Sequence, residues 1–389
     1  MKVPVYLDYN ATTPTDPRVV ERMLPYFTDH FGNPSSSAHP YGWTAAEAVK
    51  QAREQIAEAL GAQATEITFT SGSTEAINMA IKGIAEAYAE KGRHVITVQN
   101  EHKAVLDACG ALERQGWTVT RLPVDADGVV SPDAVAEALT DETVLVAVMW
   151  ANNETGVLQP MEAIAEIVRP RGALLLTDAT QAVGKVPVSV EHVDLLVCSG
   201  HKCYGPKGVG ALYMRRRAPR VHCYPLLDGG GQERGLRGGT LNVPGIVGLG
   251  AAMAIAVDEQ PSEAARLQAL RNRMEEALLA ALPDLHIVGR GADRLPNTSS
   301  MTFRGAKNLN LMMGMRDLAV SPGSACSSGS GAGSHVLLAS GLTPADAQAS
   351  LRFSLGRFTT AEEIDFTIER VIAAAQGAGL ALRDAEPAS

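Results

Sequence analysis

Residues 173–214 read ALLLTDATQAVGKVPVSVEHVDLLVCSGHKCYGPKGVGALYM, and this stretch holds three short apolar runs, at 173–178, 193–199 and 209–214. Upstream, similar runs lie at 66–70, 94–98, 117–122 and 143–150. Most of these runs are separated by stretches with helical character. Short apolar strands that alternate with helices are typical of a mostly parallel sheet covered on both faces. The sequence therefore predicts an α/β fold.

Helices are predicted between these strands and after them. The first covers 44–60, where Thr44 and Glu47 form a capping box and Gly61 ends the helix. Others are predicted from 74 to about 90, from about 103, near 161–169, over 262–282 and from 361. Beyond about residue 255 the strands are weaker, at 300–303 and 350–355. We therefore expect a large domain at 16–258 and a smaller α+β domain formed by 1–15 and 259–389.

The composition excludes several classes of protein. With 46% apolar and 20% charged residues over 389 positions, the chain is globular rather than disordered or fibrous. A net charge of −9 argues against direct nucleic-acid binding, which needs a basic surface. The longest apolar run, 144–151, has eight residues against the roughly 20 needed to span a membrane. Five cysteines without a CxxC pair predict a reducing, cytoplasmic location and no zinc site.

Polar side chains gather where the predicted strands end. In parallel α/β sheets, ligands bind beyond the carboxyl ends of the strands. The residues at these positions are Ser71, Ser73, Thr74, Glu101, His102, Asn152, Asn153, Glu154, Asp178, Gln181, Ser199, His201 and Lys202. Their concentration at one edge of the sheet predicts a ligand site there.

Lys202 follows a buried strand, where a lysine is costly unless it is paired or covalently used. Taken alone, Lys202 is more often a surface lysine at a strand end, and Asp178 is more often a helix cap or metal ligand. Together they suit pyridoxal phosphate, whose aldehyde reacts with an amine and whose pyridine nitrogen requires a carboxylate. His102 could stack on the ring and Gln181 could reach its phenolic oxygen, although a helix cap and a helix-surface residue are the simpler interpretations. The turn at 71–74 could hold the phosphate at a helix start.

The sequence resembles a known family, the cysteine desulfurases of the class-V aminotransferases. The similarity is greatest to the housekeeping iron–sulfur-assembly and nitrogen-fixation types. It extends from residue 6 to about 360, in the family's order. The motifs that carry it are LDYNATTP (7–14), FGNPSS (31–36), FTSGSTEAIN (69–78), EHKAVL (101–106), NNETGV (152–157), DATQAVGK (178–185), SGHKCYGPKGVGALY (199–213), RGGTLN (237–242), SPGSACSS (321–328) and RFSLGRFTT (352–360).

The resemblance implies a pyridoxal-phosphate enzyme of fold type I, similar to aspartate aminotransferase. Lys202 would bind the cofactor covalently and Asp178 would pair with its pyridine nitrogen. Gln181 would bind the phenolic oxygen, and His102 would stack on the ring and move protons. The implied phosphate contacts are Ser73, Thr74, Ser199, His201 and Thr240 of the partner subunit. Asn153, which also contacts the cofactor, and Arg352 are the implied contacts of the substrate carboxylate.

Cys326 is the predicted nucleophile. It lies within 321–334, a segment rich in Ser and Gly that offers little to pack against, so a mobile loop is expected there. The resemblance implies that the Cys326 thiolate takes sulfur from L-cysteine as a persulfide and that alanine is released. Cys198 and Cys109 are interpreted as buried packing residues. Cys203, which follows Lys202, stands where an aliphatic residue is usual and could compete for sulfur or merely pack.

The expected partners are L-cysteine, a second copy of the chain in a homodimer, and a sulfur-acceptor protein such as an iron–sulfur scaffold. Which acceptor is used, and whether Cys326 also ligates a cluster iron, stay open; no other metal site is predicted. The alternatives are a selenocysteine lyase or cysteine desulfhydrase, a pyridoxal-phosphate aminotransferase acting on another amino acid, and a non-catalytic binding subunit. The presence of Cys326 argues against the lyases, and Lys202 with Asp178 argues against the binding subunit.

Overall fold

The computed structural model describes residues 2–306, 308–322 and 333–383. Its strands are β1 (Val5–Tyr6), β2 (Ile67–Thr70), β3 (His94–Val98), β4 (Thr118–Leu122), β5 (Thr143–Ala147), β6 (Leu174–Asp178), β7 (Leu195–Ser199), β8 (Gly210–Met214), β9 (Leu285–Ile287), β10 (Thr298–Phe303), β11 (Leu318–Ala319), β12 (Ser321–Pro322) and β13 (Ser350–Ser354). Its helices are α1 (Pro17–Met23), α2 (Pro25–Thr28), α3 (Pro40–Leu60), α4 (Ser73–Tyr88), α5 (Lys103–Glu113), α6 (Pro132–Ala138), α7 (Met161–Val168), α8 (Val243–Ala281), α9 (Asn308–Gly314), α10 (His335–Ala339), α11 (Pro344–Gln348) and α12 (Ala361–Gly377).

A seven-stranded sheet forms the centre of the larger part of the molecule, in the order β2-β8-β7-β6-β5-β3-β4. The pairs among β3 to β7 are parallel, whereas β8 runs antiparallel to both β2 and β7. Five of its strands, β2, β3, β5, β7 and β8, are buried at every residue, because helices cover both faces. The prediction of a mostly parallel α/β sheet is confirmed, and each predicted strand of this sheet is present within three residues of its predicted bounds.

Helix α3 begins earlier than the sequence pattern predicts. The capping box at Thr44 and Glu47 is wrong, because the helix starts at Pro40 and both residues lie inside it. Proline suits the first helical position, where its missing N–H has no partner to lose. The His39 side chain caps this end through Nδ1, which accepts the Gly42 N–H at 3.3 Å. The predicted end is correct, since Gly61 takes the left-handed conformation that closes many helices.

Helix α8 is also longer than predicted. It begins at Val243, 19 residues before the predicted start at 262, and continues through Pro261. Small apolar residues in its first half pack against α3, and the close approach is visible at Gly250, where a Cβ would lie 2.7 Å from the Ala52 Cα. This packing outweighs the usual interruption of a helix by proline. The predicted boundary at 258/259 therefore falls within one continuous helix.

A second, smaller sheet has the strand order β12-β13-β10-β9, and its pairs are antiparallel. The N-terminal strand β1 joins this part of the molecule by pairing in parallel with β11, with Val5 opposite Leu318. Val5 and Leu7 are buried in the same apolar cluster as the second half of α8 and helix α12. This arrangement agrees with the prediction that N-terminal residues complete the smaller unit, while the exact division at 16–258 stays a prediction.

No helix within residues 2–306, 308–322 and 333–383 is both long and apolar enough to cross a bilayer.

Gly210 fixes the distance between β8 and two neighbouring backbones. A Cβ at this position would lie 2.7 Å from the Cys198 carbonyl oxygen on β7 and 2.8 Å from the Cα of Gly72, in the turn that leads into α4. Both neighbours are backbone atoms, so no side-chain rotation can relieve the clash. Only glycine allows β8 to pack this closely behind the turn between β2 and α4.

We predict that Gly210→Ala lowers the free energy of unfolding by about 1–3 kcal/mol, because overpacking against backbone forces strands apart. Denaturant unfolding followed by circular dichroism measures the change. Gly377→Ala, at the end of α12 with no atom within 4 Å of the added Cβ, is the matched control and should change stability by less than 0.5 kcal/mol or so. Equal stability of the two variants would contradict the packing argument.

Candidate active site

A cavity of about 260 Å³ opens at the carboxyl ends of the central strands of the large sheet, where residues of the smaller unit meet it. Its walls combine strand-end side chains, the N-terminal segment and strands β12 and β13. The lining residues are Asp8, Asn10, Ala11, Ser73, His102, Met149, Ala151, Asn153, Glu154, Asp178, Thr180, Gln181, Lys202, Ser321, Pro322 and Arg352. The predicted gathering of polar side chains at this edge of the sheet is therefore present.

Lys202 lies in a single turn of 3-10 helix, Gly200–Lys202, directly after β7. Its Nζ donates to two backbone carbonyl oxygens of the N-terminal segment, at 2.6 Å to Asn10 and 2.7 Å to Ala11. The turn itself is held against this segment, since the Thr13 N–H donates to the His201 carbonyl at 2.9 Å. The amine is thus presented to the cavity by backbone acceptors that carry no full charge.

Asp178 ends β6, the strand next to β7, and lines the same cavity. One carboxylate oxygen, Oδ1, accepts the Thr180 N–H at 3.0 Å, which orients the side chain. Gln181 follows three residues later and is buried; its Nε2 donates to the Asn10 carbonyl at 2.9 Å. The carboxylate, the amide and the Lys202 amine therefore converge from adjacent strand ends.

His102 occupies the N-cap position of α5, directly after the turn that ends β3. Its Nδ1 accepts the Ala104 N–H at 3.1 Å, so this nitrogen is unprotonated and the neutral imidazole carries its proton on Nε2. Burial lowers the pKa of His102, and the charge of Lys202 adds to this effect while Asp178 opposes it. His102 therefore caps α5 and also lines the cavity.

Helix α4 points its N-terminus at the cavity, where Ser73 contributes to the lining. The N-cap is Gly72, which has no side chain to cap the helix and whose φ of 153° favours glycine. The first backbone N–H groups of a 16-residue helix are therefore directed at an anion site. Thr74 is adjacent but exposed and does not line the cavity.

Three other predicted phosphate contacts lie outside the lining of the cavity. Ser199 is buried at the end of β7, and His201 contacts Thr12, with 3.0 Å between Nδ1 and Oγ1. Burial and the charges of Lys202 and Lys207 lower the pKa of His201 to about 4. Thr240 is exposed and distant from the lining of its own chain's cavity.

Arg352 reaches the cavity from β13 and is 7% exposed. Its Nη2 donates to Asp8 Oδ1 at 2.6 Å and its Nη1 donates to the Asn153 carbonyl at 2.9 Å. The third donor, Nε, is buried and has no partner within the described residues. A guanidinium with one unpaired edge can receive a carboxylate.

Two carboxyl groups accompany these residues, one buried (Glu101) and one half-buried (Glu154). Glu101 is fully enclosed, and burial together with the charge of Asp178 raises its pKa well above the ordinary range. Glu154 lines the cavity, and burial raises its pKa to about 7, although Ser334 and Arg352 act in the opposite direction. The Ser334 hydroxyl donates to Glu154 Oε2 at 2.5 Å. Both carboxyls therefore hold protons at pH values where an exposed glutamate is ionised.

The predicted nucleophile, Cys326, lies outside the described residues, as does the greater part of the predicted mobile loop. Cys109, Cys198 and Cys203 are buried, and burial raises the pKa of Cys203 to about 11. The Cys203 thiol donates to the Gly200 carbonyl at 3.4 Å, so it packs rather than faces the cavity. No group of three or more His, Cys, Asp or Glu side chains within the described ranges is placed to hold a metal ion.

The residues present fit pyridoxal phosphate. The cavity brings together an amine, a carboxylate, an imidazole and an amide, and a helix N-terminus faces it. Two buried polar atoms of its lining residues, Thr180 Oγ1 and Arg352 Nε, have no hydrogen-bond partner within the described part of the chain. A polar ligand that fills the cavity would satisfy such atoms. The chemistry of the donor set and these unpaired atoms both favour an anionic, aldehyde-bearing ligand.

Asp8, Asn10 and Thr180 line the cavity but were not singled out from the sequence. Asp8 and Asn10 stand in LDYNATTP, a motif that marked the family without assigning roles to its side chains. Asn10 is 1% exposed, and its Nδ2 donates to Thr298 Oγ1 at 2.9 Å and to the Asn153 carbonyl at 3.2 Å. Polar residues that are this deeply buried so near the N-terminus are the signal that could have revealed them.

The protonation of Glu154 predicts a pH-dependent stability. The folded protein keeps this proton up to about pH 7, whereas the unfolded chain releases it near 4.5, so the stabilisation is complete below 4.5 and is lost as pH rises through 7. Relative to Glu154→Gln, the unchanged protein should lose on the order of 2 kcal/mol between pH 5 and pH 8. Thermal unfolding of both proteins at the two pH values measures this. Glu162→Gln, exposed on α7, should show no such difference, and parallel pH profiles for all three proteins would refute the assignment.

Comparison with known proteins identifies the family of this chain. The family model for class-V aminotransferases matches residues 5–366. The cysteine desulfurase IscS of Anaeromyxobacter sp. (strain Fw109-5) is 52% identical over 374 residues, which cover 96% of this chain and 92% of that protein. A solved NifS-like protein superposes with a TM-score of 0.88 at 40% identity, over 95% of this chain and 98% of the other. The structure of SspA in complex with cysteine gives a TM-score of 0.81, also at 40% identity, over 92% and 100% of the two chains.

These similarities extend through both sheets and through every strand end that lines the cavity. They confirm the expected fold type I architecture of pyridoxal-phosphate enzymes, with its large mostly parallel sheet. The chain belongs to the class-V aminotransferase family, and within it to the cysteine desulfurases.

Proposed function

We propose that this protein is a pyridoxal-phosphate-dependent cysteine desulfurase that converts L-cysteine to L-alanine and carries the sulfur as a persulfide on Cys326. The observation that carries the proposal is the convergence of Lys202, Asp178 and Arg352 on one cavity. The first two residues suit the cofactor, and the third suits the carboxylate of an amino acid. The relatives named cysteine desulfurase and the neighbour solved with cysteine support the same substrate.

When bound, the cofactor supplies an electron sink conjugated with the substrate Cα. Lys202 would hold its aldehyde carbon, and Asp178 would pair with the pyridine nitrogen. Gln181 would donate to the phenolic oxygen, and the face of His102 would cover the ring. The N-terminal N–H groups of α4, with Ser73 and Thr74, would bind the phosphate, and Ser199 and His201 would support them from the end of β7.

Proton movement falls to two groups that face the cavity. Lys202 would accept the substrate's α-proton, because its amine lies at the cavity wall, where it donates to the Asn10 and Ala11 carbonyl oxygens. His102 would exchange a proton with the substrate thiol through Nε2, since Nδ1 is occupied by the Ala104 N–H. Its lowered pKa keeps the imidazole neutral near pH 7, and the proton that this neutral ring can give up is the one on Nε2.

Arg352 would bind the substrate carboxylate. Nε has no partner within the described residues, and the neighbouring Nη2 has a second N–H besides the one that it donates to Asp8, so this edge of the guanidinium could offer two parallel donors to a carboxylate. Asn153 completes this wall, because its carbonyl accepts Arg352 Nη1 and fixes the plane of the guanidinium. Such a site selects α-amino acids by their carboxylate and leaves the side chain free to face the nucleophile.

Cys326 lies four positions after Pro322, a residue that lines the cavity. Four residues of chain span at most about 14 Å, so the attachment at Pro322 keeps the thiol within that distance of the cavity wall. In the proposed transfer, the Cys326 thiolate bonds to the substrate sulfur while the Cβ–S bond breaks. The carbon keeps the bonding electron pair and gains a proton, which gives the alanine methyl group. Atoms and charge balance without an added oxidant or reductant.

The functional unit is proposed to be a homodimer in which Thr240 of the partner subunit completes the phosphate site. Thr240 is exposed and does not line the cavity of its own chain. An aromatic patch, formed by Phe27, Phe31, Tyr41 and Trp43, is also exposed, at 55–65% for each side chain. Phe31 and Tyr41 are in contact, with 5.3 Å between their ring centroids, and exposed aromatic residues of this kind are enriched at protein interfaces.

The final acceptor of the sulfur is proposed to be a protein thiol or an iron–sulfur scaffold, in keeping with the IscS relatives. The cytoplasm is the proposed compartment, on the ground that the five cysteines form no pairing motif.

We predict that Cys326→Ser binds pyridoxal phosphate normally but loses at least 100-fold in alanine formation and in protein-bound persulfide. The reason is that the acceptor thiolate is absent while the cofactor site is intact. Alanine is measured by chromatography and persulfide by mass spectrometry of the intact protein. Cys203→Ser is the matched control and should keep both activities, because its thiol packs against the Gly200 carbonyl. A Cys326→Ser protein with full persulfide output would overturn the assignment, and Lys202→Ala should instead lose covalently held cofactor.

The aromatic patch predicts the oligomeric state. Phe31→Glu places a charge in the proposed interface and should shift the protein from dimer to monomer at about 1–10 µM, with weaker retention of the cofactor. Sedimentation velocity measures the mass. Leu309→Glu, at an exposed position outside the patch, is the control and should leave the dimer intact. A dimeric Phe31→Glu protein would exclude this patch as the interface.

A further inference from the structure

A second lysine amine lies behind the cavity wall. Lys185 belongs to the segment that follows β6, and its Nζ donates to Gln181 Oε1 at 2.7 Å and to Asn10 Oδ1 at 3.3 Å. It does not line the cavity. Burial lowers the pKa of Lys185 to about 7, and the charges of Lys202 and Arg352 add to the effect. Burying an amine here costs free energy, and none of the roles described above involves Lys185.

The contact with Lys185 decides which way the Gln181 amide points. An amide has an oxygen side and a nitrogen side, and either can face a given neighbour unless donors and acceptors distinguish them. The ammonium form of Lys185 can only donate, so it selects Oε1. Nε2 then faces away from Lys185, and one of its two N–H groups donates to the Asn10 carbonyl. The second N–H belongs to a side chain that lines the cavity.

Lys185 also affects Lys202, because both amines donate to Asn10. The Asn10 carbonyl that accepts Gln181 also accepts Lys202 Nζ, at 2.6 Å. The Asn10 side chain is held by Lys185 at Oδ1, and Asn297 Nδ2 donates to the same oxygen at 3.2 Å. The Asn10 side chain is therefore held in place by these two hydrogen bonds, while the Asn10 carbonyl orients the Gln181 amide and the Lys202 amine. Without Lys185, the orientation of the Gln181 amide would no longer be fixed, and Asn10 Oδ1 would lose one of its two hydrogen bonds.

We propose that Lys185 is a positioning residue of the cofactor site, which fixes the Gln181 amide so that an N–H donor faces the cavity and which steadies the Asn10 carbonyl that receives Lys202. The inference rests on the proposed function, because the group that benefits is the cofactor's phenolic oxygen. Lys185 itself touches neither cofactor nor substrate.

The test is a double-mutant cycle between Lys185 and Gln181. Pyridoxal phosphate is titrated into cofactor-free protein, and the dissociation constant and the pH midpoint of the bound cofactor's visible band are measured. The four proteins are the unchanged chain, Lys185→Met, Gln181→Leu and the double variant. Two residues that act as one unit give non-additive effects, whereas independent packing roles add.

We expect Lys185→Met to weaken cofactor binding 5- to 20-fold and to move the pH midpoint in the same direction as Gln181→Leu. In the Gln181→Leu background, Lys185→Met should change binding by less than twofold and leave the midpoint where it is. Lys50→Met, an exposed lysine on α3, is the matched control and should bind as the unchanged protein does. Additive losses in the cycle, or unchanged binding by Lys185→Met, would overturn the proposal.

Folding is checked by thermal unfolding of each cofactor-free protein. If Lys185→Met does not fold, Lys185→Gln takes its place in the cycle under the same additivity criterion, since it removes the ammonium but keeps a polar side chain. Failure of the unchanged protein to bind pyridoxal phosphate would contradict the proposed function itself. Normal binding by the unchanged protein together with an additive cycle would contradict only the role of Lys185.

Discussion

The carbonyl oxygen of Asn10 accepts hydrogen bonds from the Lys202 amine and from the Gln181 amide, and the cavity is organised around this shared acceptor. The oxygen comes from the N-terminal segment, whereas the two donors come from the ends of strands in the large sheet. Asn10 is in turn bound to Thr298 on β10 of the smaller sheet. One buried residue therefore connects the three parts of the chain that must meet before the site exists.

Burial sets the electrostatics around this residue. Amines, carboxyls and imidazoles share a space with little solvent, so each group moves toward its neutral form unless a partner compensates. Glu154 and Glu101 show raised pKa values, while His102, His201 and Lys185 show lowered ones. Glu154 and Lys185, each with a pKa of about 7, can therefore hold or release protons near neutral pH, as proton transfer on an amino-acid substrate requires.

Much of the large sheet could be predicted because its strands are short apolar runs, a local property of the sequence. Strand ends also locate His102, Asp178, Gln181 and Lys202 without any knowledge of pairing. The start of α3 was missed because proline and histidine caps carry a weaker signal than a capping box. The length of α8 was missed because its packing against α3 overrides the proline at 261.

The residues that sequence reasoning missed share one property, namely that they depend on contacts between distant segments. Asp8 pairs with Arg352 across 344 positions, and Asn10 contacts Lys202 across 192. Neither periodicity nor a local motif predicts contacts between such distant positions. Asp8 and Asn10 are therefore visible in the sequence only as members of a family motif. Lys185 is missed for a related reason, since a lysine four positions after Gln181 is typical of a solvated turn.

Both ends of the chain around residues 323–332 are attached to the cavity wall. On one side Ser321 is paired with Arg352 in the smaller sheet, and on the other Ser334 donates to Glu154. The fold thus specifies two anchor points but not the number of residues between them. A change in the number of residues between Ser321 and Ser334 would leave the contacts of these two anchors as they are, and it would change how far from the cavity wall a group carried between them could reach.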